Sequence, residues 1–351
     1  MDTYPVTARS LGLFYRTDGD TLERAYKEHL SGFMEWEDRG HADKYLLFEE
    51  NFGLHMSIDE TSTKDGELFT ILSNKDGHGR KGSIAAIVRG TRVEDVVDAL
   101  MKVPDLVRKQ VGEITMDFSG SMMMICEKAF PWADRVLDRF HMQRMAVDAV
   151  NNLRIMHNRE SMKAEAAARK EFRQKQLRRR AYMKRHYKIY QDGRPLPMLK
   201  PYIPERLSNG DTVPELLTRS RYLLMMSADK WSESQKARAE LLFGLFPDIQ
   251  KAYSLSHSLR VIFNNRKATP ESARASLAAW YDKVSKSKND DLMTLAETLQ
   301  SREDEVLNFF RFRSTNASAE ALNTKIKAFR AQLRGVVDLK FFLFRLTRIY
   351  A

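Results

Sequence analysis

The stretch Leu54-His-Met-Ser-Ile-Asp59 alternates apolar and polar residues and ends in a carboxylate. Leu54, Met56 and Ile58 share one face of an extended chain, and Asp59 lies on the opposite face. An acid on an otherwise apolar strand is costly unless it is paired or binds a metal ion. The pattern predicts a core strand that ends at an acid with a functional role. A strand-end aspartate that faces solvent is the alternative.

Four further segments of strand character follow before residue 142. The second and third strands are Glu67-Leu-Phe-Thr-Ile-Leu-Ser73 and Ser83-Ile-Ala-Ala-Ile-Val88, and the fourth and fifth are Glu113-Ile-Thr-Met-Asp117 and Arg135-Val-Leu-Asp138. Apolar residues recur at helical spacing in 93–103, and a short helix is predicted over 122–130. The predicted order is β-β-β-α-β-α-β. This is the strand order of the ribonuclease H-like fold, an α/β architecture.

The remainder of the chain is predicted to be mostly helical, which gives four regions. They are a helical N-terminal lead-in (1–50), the first part of the ribonuclease H-like core (51–141), a large all-helical insertion domain (142–313) and a C-terminal helix that completes the core (314–351). Five prolines between 191 and 214 indicate a linker or an exposed loop. The segment 74–82, between the second and third strands, is turn-like and basic.

Charge points to a polyanionic partner. The formal net charge is +11, and basic residues are concentrated in segment 163–190. The run 169–188 holds ten lysines and arginines, with Arg178, Arg179 and Arg180 at its centre, against the single acid Glu171. Such an excess favours contact with the phosphate backbone of DNA. A solvated helix face is the alternative.

Cysteine content and hydropathy exclude several classes of protein. Cys126 is the only cysteine, which excludes an internal disulfide and a cysteine-rich zinc ribbon and fits a reducing cytoplasm. The sequence has no signal-peptide pattern and no run of about 18 apolar residues. We therefore expect a cytoplasmic protein without a membrane partner.

Two acids compete for the place beside Asp59. Asp117 ends the fourth predicted strand and Asp138 ends the fifth, and composition does not choose between them. In a ribonuclease H-like sheet the first and fourth strands are neighbours, so topology selects Asp117. Asp138 then lies one strand further out, in the motif Asp138-Arg-Phe-His141. His141 taken alone is equally typical of a structural histidine.

A third acid lies on an amphipathic helix near the C-terminus. The apolar stripe of this helix consists of Leu322, Ile326, Phe329 and Leu333. The opposite face carries Glu320, Asn323, Lys327 and Arg334. The arrangement suits a metal-binding acid flanked by phosphate contacts. An ordinary surface helix is the alternative that helical spacing alone favours.

In their order and combination these blocks resemble bacterial insertion-sequence DDE transposases of the ISL3 family, and within it the ISAon-like group. The first block is Ile58-Asp-Glu-Thr-Ser62 together with 66–75. The second is Ile114-Thr-Met-Asp-Phe-Ser119 followed by 130–133 and 138–142, and the third is 319–327 with Arg334-Gly335. The resemblance extends from about Thr7 to the C-terminus and covers the catalytic part of such enzymes.

The resemblance implies a function and a site. The chain would cut insertion-element ends and join them to target DNA, with Asp59, Asp117 and Glu320 as catalytic acids that hold two Mg²⁺ or Mn²⁺ ions. Asp138 and His141 would be auxiliary residues. Backbone phosphates would be bound by the basic run and by Arg139, Asn323, Lys325, Lys327 and Arg334.

The same resemblance implies the partners. They are double-stranded DNA, as element ends and as target, a second copy of the chain in a homodimer or larger assembly, and a separate protein that supplies an N-terminal region. The expected cellular location of the protein is the bacterial cytoplasm, in association with the nucleoid. Two alternatives stay open: a catalytically silent, transposase-derived DNA-binding protein, and a ribonuclease H-like nuclease without joining activity.

Overall fold

The structure is a computed structural model that describes residues 1–62, 67–333 and 336–351. The chain divides into two compact units. The sheet unit comprises residues 1–142, 267–274 and 299–351, and the helical unit comprises residues 143–266 and 275–298. No helix in the described part of the chain is long and apolar enough to cross a membrane.

A six-stranded mixed sheet organises the sheet unit. Its strands are β1 (Tyr45–Leu47), β2 (His55–Ser62), β3 (Leu68–Asn74), β4 (Ile84–Arg89), β5 (Glu113–Met116) and β6 (Asp134–Leu137). Their order across the sheet is β1-β4-β3-β2-β5-β6. Strands β2, β3 and β4 pair antiparallel, whereas β2, β5 and β6 run parallel. This mixed α/β topology is compatible with a ribonuclease H-like fold.

The helices are numbered in chain order. They are α1 (Ala8–Tyr15), α2 (Gly19–Ala25), α3 (Val93–Leu100), α4 (Asp105–Arg108), α5 (Gly120–Ala129), α6 (Arg139–His186), α7 (Lys188–Gln191), α8 (Val213–Arg219), α9 (Arg221–Met225), α10 (Glu233–Leu245), α11 (Pro247–Asn264), α12 (Pro270–Ser285), α13 (Asp290–Ser301), α14 (Glu303–Phe312), α15 (Ala317–Gln332) and α16 (Leu339–Tyr350).

The five predicted strands are β2 to β6, and each overlaps the segment that the alternation indicated. Leu54 precedes β2 and is 56% exposed, so the buried apolar face of this strand begins at Met56 instead. Strand β1 was not predicted. It is three residues long and pairs with β4. A segment of three residues is too short for an alternation of polar and apolar residues to be recognised.

The core of the sheet unit forms between the sheet and the C-terminal helices. Ile71 and Ile84 of the sheet share one buried cluster with Ile326 and Phe329 of α15 and Phe342 of α16. Burying apolar area of this kind contributes about 25 cal/mol per Å². The amphipathic stripe of α15 is therefore fixed against the sheet, and this determines which residues of α15 reach β2.

Helix α14 lies outside the region that the sequence assigned to it. The predicted helical insertion ran from 142 to 313, but residues 267–274 and 299–313 belong to the sheet unit. Val306 and Phe310 of α14 are buried, and the Asn308 side-chain amide donates a 2.9 Å hydrogen bond to the carbonyl oxygen of Arg135 in β6. The apolar face of α14 thus packs beside the sheet, a contact that helical periodicity does not reveal.

The helical unit has a core of its own. Leu255 and Leu259 of α11 are buried in it, as are Trp280 of α12 and Leu292 of α13. The Trp280 indole donates a 2.9 Å hydrogen bond to the carbonyl oxygen of Leu255, which satisfies the one polar atom of a fully buried ring. The C-terminal half of α6, by contrast, is largely exposed.

Candidate active site

The register of two parallel strands brings Asp59 and Asp117 to one level. Ser57 of β2 pairs with Thr115 of β5. The paired register ends there, and Asp117 follows the last residue of β5. If the register is continued by two residues, Asp59 and Asp117 come to one level, where residues of neighbouring parallel strands point to the same face of the sheet. The charge of Asp117 acts on the Asp59 carboxyl and helps to raise its pKa, which agrees with this placement.

The next strand continues this row. Met116 of β5 pairs with Leu137 of β6, so Asp117 and Asp138, which follow them, are also at one level. Three aspartates from distant parts of the sequence thus form a row across β2, β5 and β6. The row lies at the carboxyl ends of β5 and β6.

Asp59 is not at the end of its strand, as the sequence predicted, but is the fifth residue of β2. The parallel partner β5 ends at Met116, and the pairing of β2 with β5 extends only to Ser57. Beyond that point one edge of β2 is open, while its other edge stays paired with β3 through Ser62. Asp59 lies beside this unpaired stretch of β2 and is half-buried.

The electrostatics of Asp59 indicate that several acids lie close together. Burial raises the pKa of the Asp59 carboxyl above its usual range, and the negative charges of Asp117 and Glu320 act in the same direction. The backbone N–H of Glu60 and the His141 ring oppose this rise. Burial also raises the pKa of the Glu60 carboxyl, with Asp117 and Asp59 contributing. An ion with positive charge would relieve this repulsion.

Asp117 is held by the turn that follows β5. One of its carboxylate oxygens, Oδ1, accepts a 2.9 Å hydrogen bond from the backbone N–H of Ser119, the residue that precedes α5. The carboxylate is half-buried. A local contact of this kind fixes the side chain close to the backbone and sets its direction.

Helix α15 carries Glu320 and is fastened to the aspartate row at two points. At its start, the backbone N–H of Asn316 donates a 3.3 Å hydrogen bond to Asp138, and the Asn316 side chain also contacts the Ser57 hydroxyl. Two turns later, the Asn323 side-chain amide donates a 2.7 Å hydrogen bond to Asp59 Oδ2. Glu320 lies between these anchors and is exposed.

Asn323 corrects the helical-wheel prediction for α15. The sequence placed Asn323 with Glu320 on the face opposite the apolar stripe and predicted a contact with DNA. The side chain is instead buried at 7% exposure, and its amide is committed to Asp59 and to the carbonyl oxygen of Glu60. Asn323 lies next to Leu322 at the border of the stripe, so a small rotation of the helix turns it toward β2.

Asp138 and His141 form a hydrogen-bonded pair. Asp138 is fully buried, and its Oδ2 lies 3.0 Å from His141 Nδ1 while its Oδ1 accepts from the backbone of Asn316. Both carboxylate oxygens are therefore engaged. The hydrogen bond to Asp138 raises the pKa of His141, burial opposes this, and the charges of Asp138, Asp117 and Asp59 add to the rise.

The donor chemistry of the row fits a hard divalent cation. Carboxylate oxygens are the ligands that Mg²⁺ prefers, and Asp59, Asp117 and Glu320 supply them. Asp138 fits less well because it is fully buried, whereas Asp59 and Asp117 are half-buried and Glu320 is exposed. In residues 1–62, 67–333 and 336–351, however, no three His, Cys, Asp or Glu side chains lie close enough together to hold a metal ion. Glu320, which is exposed on α15, is the acid with most freedom to adjust.

The remaining predicted DNA-binding residues are dispersed. Lys325 and Lys327 are exposed on α15, and Lys325 donates a 2.6 Å hydrogen bond to the carbonyl oxygen of Gly79. Arg139 begins α6 and lies over the rings of Phe140 and Phe309. Arg178, Arg179 and Arg180 lie on α6 in the helical unit. Arg334 lies outside the described residues.

A buried polar network beside the row was missed from the sequence. Lys75 donates to Glu113 Oε1 at 2.5 Å and to the Thr115 hydroxyl at 2.8 Å, and it also contacts Ser314. The network joins the turn after β3, strand β5 and the segment before α15. A polar residue at the start of an apolar strand, such as Glu113, is the one sequence signal that could have indicated it.

Taken together, the fold and site define a mixed α/β protein with acids gathered at an opening between parallel strands. The sequence matches the family model of the ISL3 DDE transposases, described as a transposase, over residues 56–197 and 205–346. These segments include all three candidate acids and most of the chain, so the chain belongs to the ISL3 family of insertion-sequence transposases. Comparisons with curated proteins and with solved structures give no match.

Proposed function

We propose that this chain cuts the ends of an insertion element and joins them to target DNA, with Asp59, Asp117 and Glu320 as the catalytic acids. The observation that carries the proposal is the parallel pairing of β2 with β5, which, continued two residues past Ser57 and Thr115, brings Asp59 level with Asp117. The helix that bears Glu320 is hydrogen-bonded to the first of these acids through Asn323. Membership of the transposase family supports the same reaction class.

The reaction class explains why acids should gather here. Cleavage and strand transfer both place negative charge on the attacking and the leaving oxygen of a phosphodiester. When bound, two divalent cations supply charge stabilisation for both oxygens. Asp59, Asp117 and Glu320 would hold these cations, because each acid offers carboxylate oxygens. The charges of Asp117 and Glu320 raise the pKa of the Asp59 carboxyl, and bound cations would offset this repulsion.

The chain's other residues would orient this set. Both oxygens of Asp59 accept a hydrogen bond, Oδ2 from Asn323 and Oδ1 from the backbone N–H of Glu60. These bonds fix the direction of the carboxylate, and each oxygen keeps a second lone pair that can bind a cation. Asp138 holds the His141 ring by its Nδ1 atom, which leaves Nε2 available and favours the protonated form of the ring. A cationic His141 beside the acids would attract the phosphate of the DNA strand. We infer that Asp138 acts through His141 rather than as a ligand.

We further propose that the sheet unit is a ribonuclease H-like core and that the helical unit is inserted between its second and third acids. The strand order and the antiparallel and parallel pairings support the first part. The place of residues 143–266 and 275–298 in the sequence, between Asp117 and Glu320, supports the second.

The basic part of α6 would bind the DNA backbone. Arg178 and Arg179 are exposed, and the run 169–188 contains few acids to neutralise them. Each phosphate contact with duplex DNA contributes about 0.9 to the slope of log affinity against log salt concentration. The triple variant Arg178→Gln/Arg179→Gln/Arg180→Gln should therefore bind duplex DNA more weakly and with a shallower salt slope. An unchanged slope would contradict this role.

The catalytic proposal is tested by cleavage of a duplex that carries one end of the chain's own element. Asp59→Asn, Asp117→Asn and Glu320→Gln should each abolish Mg²⁺-dependent cleavage and leave DNA binding intact. Asp98→Asn and Glu94→Gln, two exposed acids on α3, are matched controls and should cleave as the wild type does. Full cleavage by any of the three site variants would overturn the assignment.

A strand-transfer assay on the same duplex separates the alternatives. Joining of the freed 3′ hydroxyl to a second DNA molecule supports a transposase reaction. Cleavage without joining would identify a nuclease, and binding without cleavage in Mg²⁺ or Mn²⁺ would identify a silent DNA-binding protein.

A further inference from the structure

A second concave site lies in the sheet unit, away from the three acids. It is a cavity of about 650 Å³ bounded by the loop 79–81, helix α15, the end of α16 and the N-terminal residues 2–5. None of Asp59, Asp117 and Glu320 lines it. The loop belongs to the basic segment 74–82, for which the proposed chemistry has no role.

Cations dominate the rim of this cavity. Arg80, Lys81, Lys325 and Arg348 line it together with one carboxylate, Asp2, which accepts a hydrogen bond from the Tyr26 hydroxyl. Among the ion pairs formed by the described residues, none joins any of these four cations to an acid at 4.0 Å or less. Four cations and one carboxylate around a concave surface give it a positive potential, which attracts an anion.

One of the cations is fixed in place by the loop. Lys325 Nζ donates a 2.6 Å hydrogen bond to the carbonyl oxygen of Gly79. Gly79 has a φ of +67°, and a Cβ atom there would lie 3.1 Å from Lys325 Nζ. The left-handed backbone favours glycine at this position, and a Cβ would press on the flexible end of Lys325. The hydrogen bond to Gly79 directs the Lys325 ammonium group toward the loop that lines the cavity.

An accessible aromatic ring lies at the rim of the cavity. The rings of Phe329 and Tyr350 line its floor but are 0% and 5% exposed, so they belong to the core and are closed to a ligand. Tyr4 is 70% exposed at the rim, where its ring offers a free face. Aromatic rings near cations form the combination on which nucleic-acid bases stack while their phosphates are neutralised.

We propose that this cavity binds an unpaired nucleotide of a DNA strand, with its base stacked on Tyr4 and its phosphates on Arg80, Lys81, Lys325 and Arg348. This proposal rests on the proposed function for the presence of DNA, but it concerns a different site. A base paired within a duplex has both faces stacked and cannot enter a concave pocket. The cavity volume is in the range of about 300–1,000 Å³ that holds one small ligand.

The proposal is tested by fluorescence anisotropy with the full chain in a metal-free buffer. The probes are a labelled 12-nucleotide single strand (about one site of a single-strand-binding module) and a duplex of the same length. The variants are Arg80→Gln/Arg348→Gln, Tyr4→Ala and Tyr4→Phe. Arg92→Gln/Lys128→Gln, which removes two exposed cations that do not line the cavity, is the matched control. Circular dichroism confirms that each variant is folded.

The expected results follow from charge and stacking. The Arg80→Gln/Arg348→Gln variant should bind the single strand at least about 10-fold more weakly, with a salt slope lower by about 1.4 since each single-strand contact contributes about 0.7. Tyr4→Ala should weaken binding by about 5- to 100-fold, and Tyr4→Phe, which keeps the ring, should restore it. The control variant should bind as the wild type does, and duplex affinity should change by less than about 3-fold.

Three outcomes would overturn the proposal. The cavity variants could bind the single strand as well as the control does. They could lose duplex and single-strand affinity equally, which would make the cavity a duplex backbone contact. Finally, free deoxyadenosine monophosphate could bind as tightly as the oligonucleotide, which would make the ligand a small nucleotide. Asp59→Asn should bind the single strand normally, so loss of cleavage in that variant and failure of the cavity proposal are independent results.

Discussion

Replacing Asp59 by asparagine is expected to raise the thermal stability of the metal-free chain. The carboxylate is half-buried, and its pKa is raised by burial and by the charges of Asp117 and Glu320. Asparagine is of similar size, but the hydrogen bonds from Asn323 and from the backbone N–H of Glu60 go to different oxygens of Asp59, so its one amide oxygen keeps only one of them. The substitution therefore removes the charge and keeps the volume, at the cost of one hydrogen bond.

The magnitude follows from the spacing of the strands. Neighbouring strands are about 4.8 Å apart, so carboxylates at one level of β2 and β5 are separated by roughly 5 Å. Two negative charges at that distance repel by about 1–3 kcal/mol for an effective dielectric constant between about 80 and 20. For a domain of this size each kcal/mol shifts the melting temperature by about 2–4 °C, so relief of the repulsion alone would raise it by about 2–12 °C. The lost hydrogen bond costs about 1 kcal/mol, which leaves a net rise of up to about 8 °C.

Differential scanning fluorimetry measures this change. In EDTA the Asp59→Asn variant should have a higher melting temperature than the wild type. The control variant Asp98→Asn, which changes an exposed acid on α3, should have the same melting temperature as the wild type. Adding Mg²⁺ should stabilise the wild type, because a cation that binds only the folded chain shifts the folding equilibrium, and should stabilise Asp59→Asn much less.

The pH dependence supplies an internal check. Because the pKa of Asp59 is raised in the folded state, the wild type loses stability as the pH rises from about 3.9, the ordinary aspartate value, through the raised value. The advantage of Asp59→Asn should therefore be absent at the acid end of this window and complete above it. Two results would contradict this prediction: a lower melting temperature of Asp59→Asn than of the wild type in EDTA, or an equal rise in the melting temperatures of Asp59→Asn and the wild type on addition of Mg²⁺.

Three further predictions concern the residues around the row. Asn323→Ala should weaken Mg²⁺ affinity and cleavage by about 10- to 100-fold, as measured by calorimetry and by the duplex assay, because a residue that orients a ligand is lost. His141→Ala should lower the melting temperature more at about pH 5.5 than at about pH 9, since the raised pKa of His141 gives stability that is lost as pH rises through it. Lys75→Met should destabilise the chain by about 3–5 kcal/mol in urea unfolding, because Glu113 is left buried without its cation, and Lys75→Met/Glu113→Met should recover much of the loss.

The sheet was predictable because its information is local. Residues 54–59 and 113–117 alternate strongly and end in acids, and the predicted strand order makes their segments neighbours. The observed register ends at Ser57 and Thr115, and its continuation by two residues brings Asp59 and Asp117 to one level. Strand β1 carries no such pattern, and its three residues are strand only because the edge of β4 is there to pair with them.

The contacts around the acids could not be predicted because they join residues far apart in sequence. Asp138 accepts from Asn316, and Asp59 accepts from Asn323, across separations that no periodicity spans. A helical wheel places Asn323 at the border of the apolar stripe and cannot tell which way that border faces. The same limit applies to α14, whose apolar face was visible in the sequence while its partner β6 was not.

The central claim is that Asp59, Asp117 and Glu320 together hold the divalent cations. Anomalous X-ray diffraction from crystals of the full chain soaked in Mn²⁺ tests it most directly. The account predicts anomalous peaks in contact with carboxylate oxygens of all three acids, at about 2.1 Å, the distance typical of a small hard cation. Manganese bound elsewhere, or bound to the two aspartates while Glu320 stays apart from it with duplex DNA present, would contradict it.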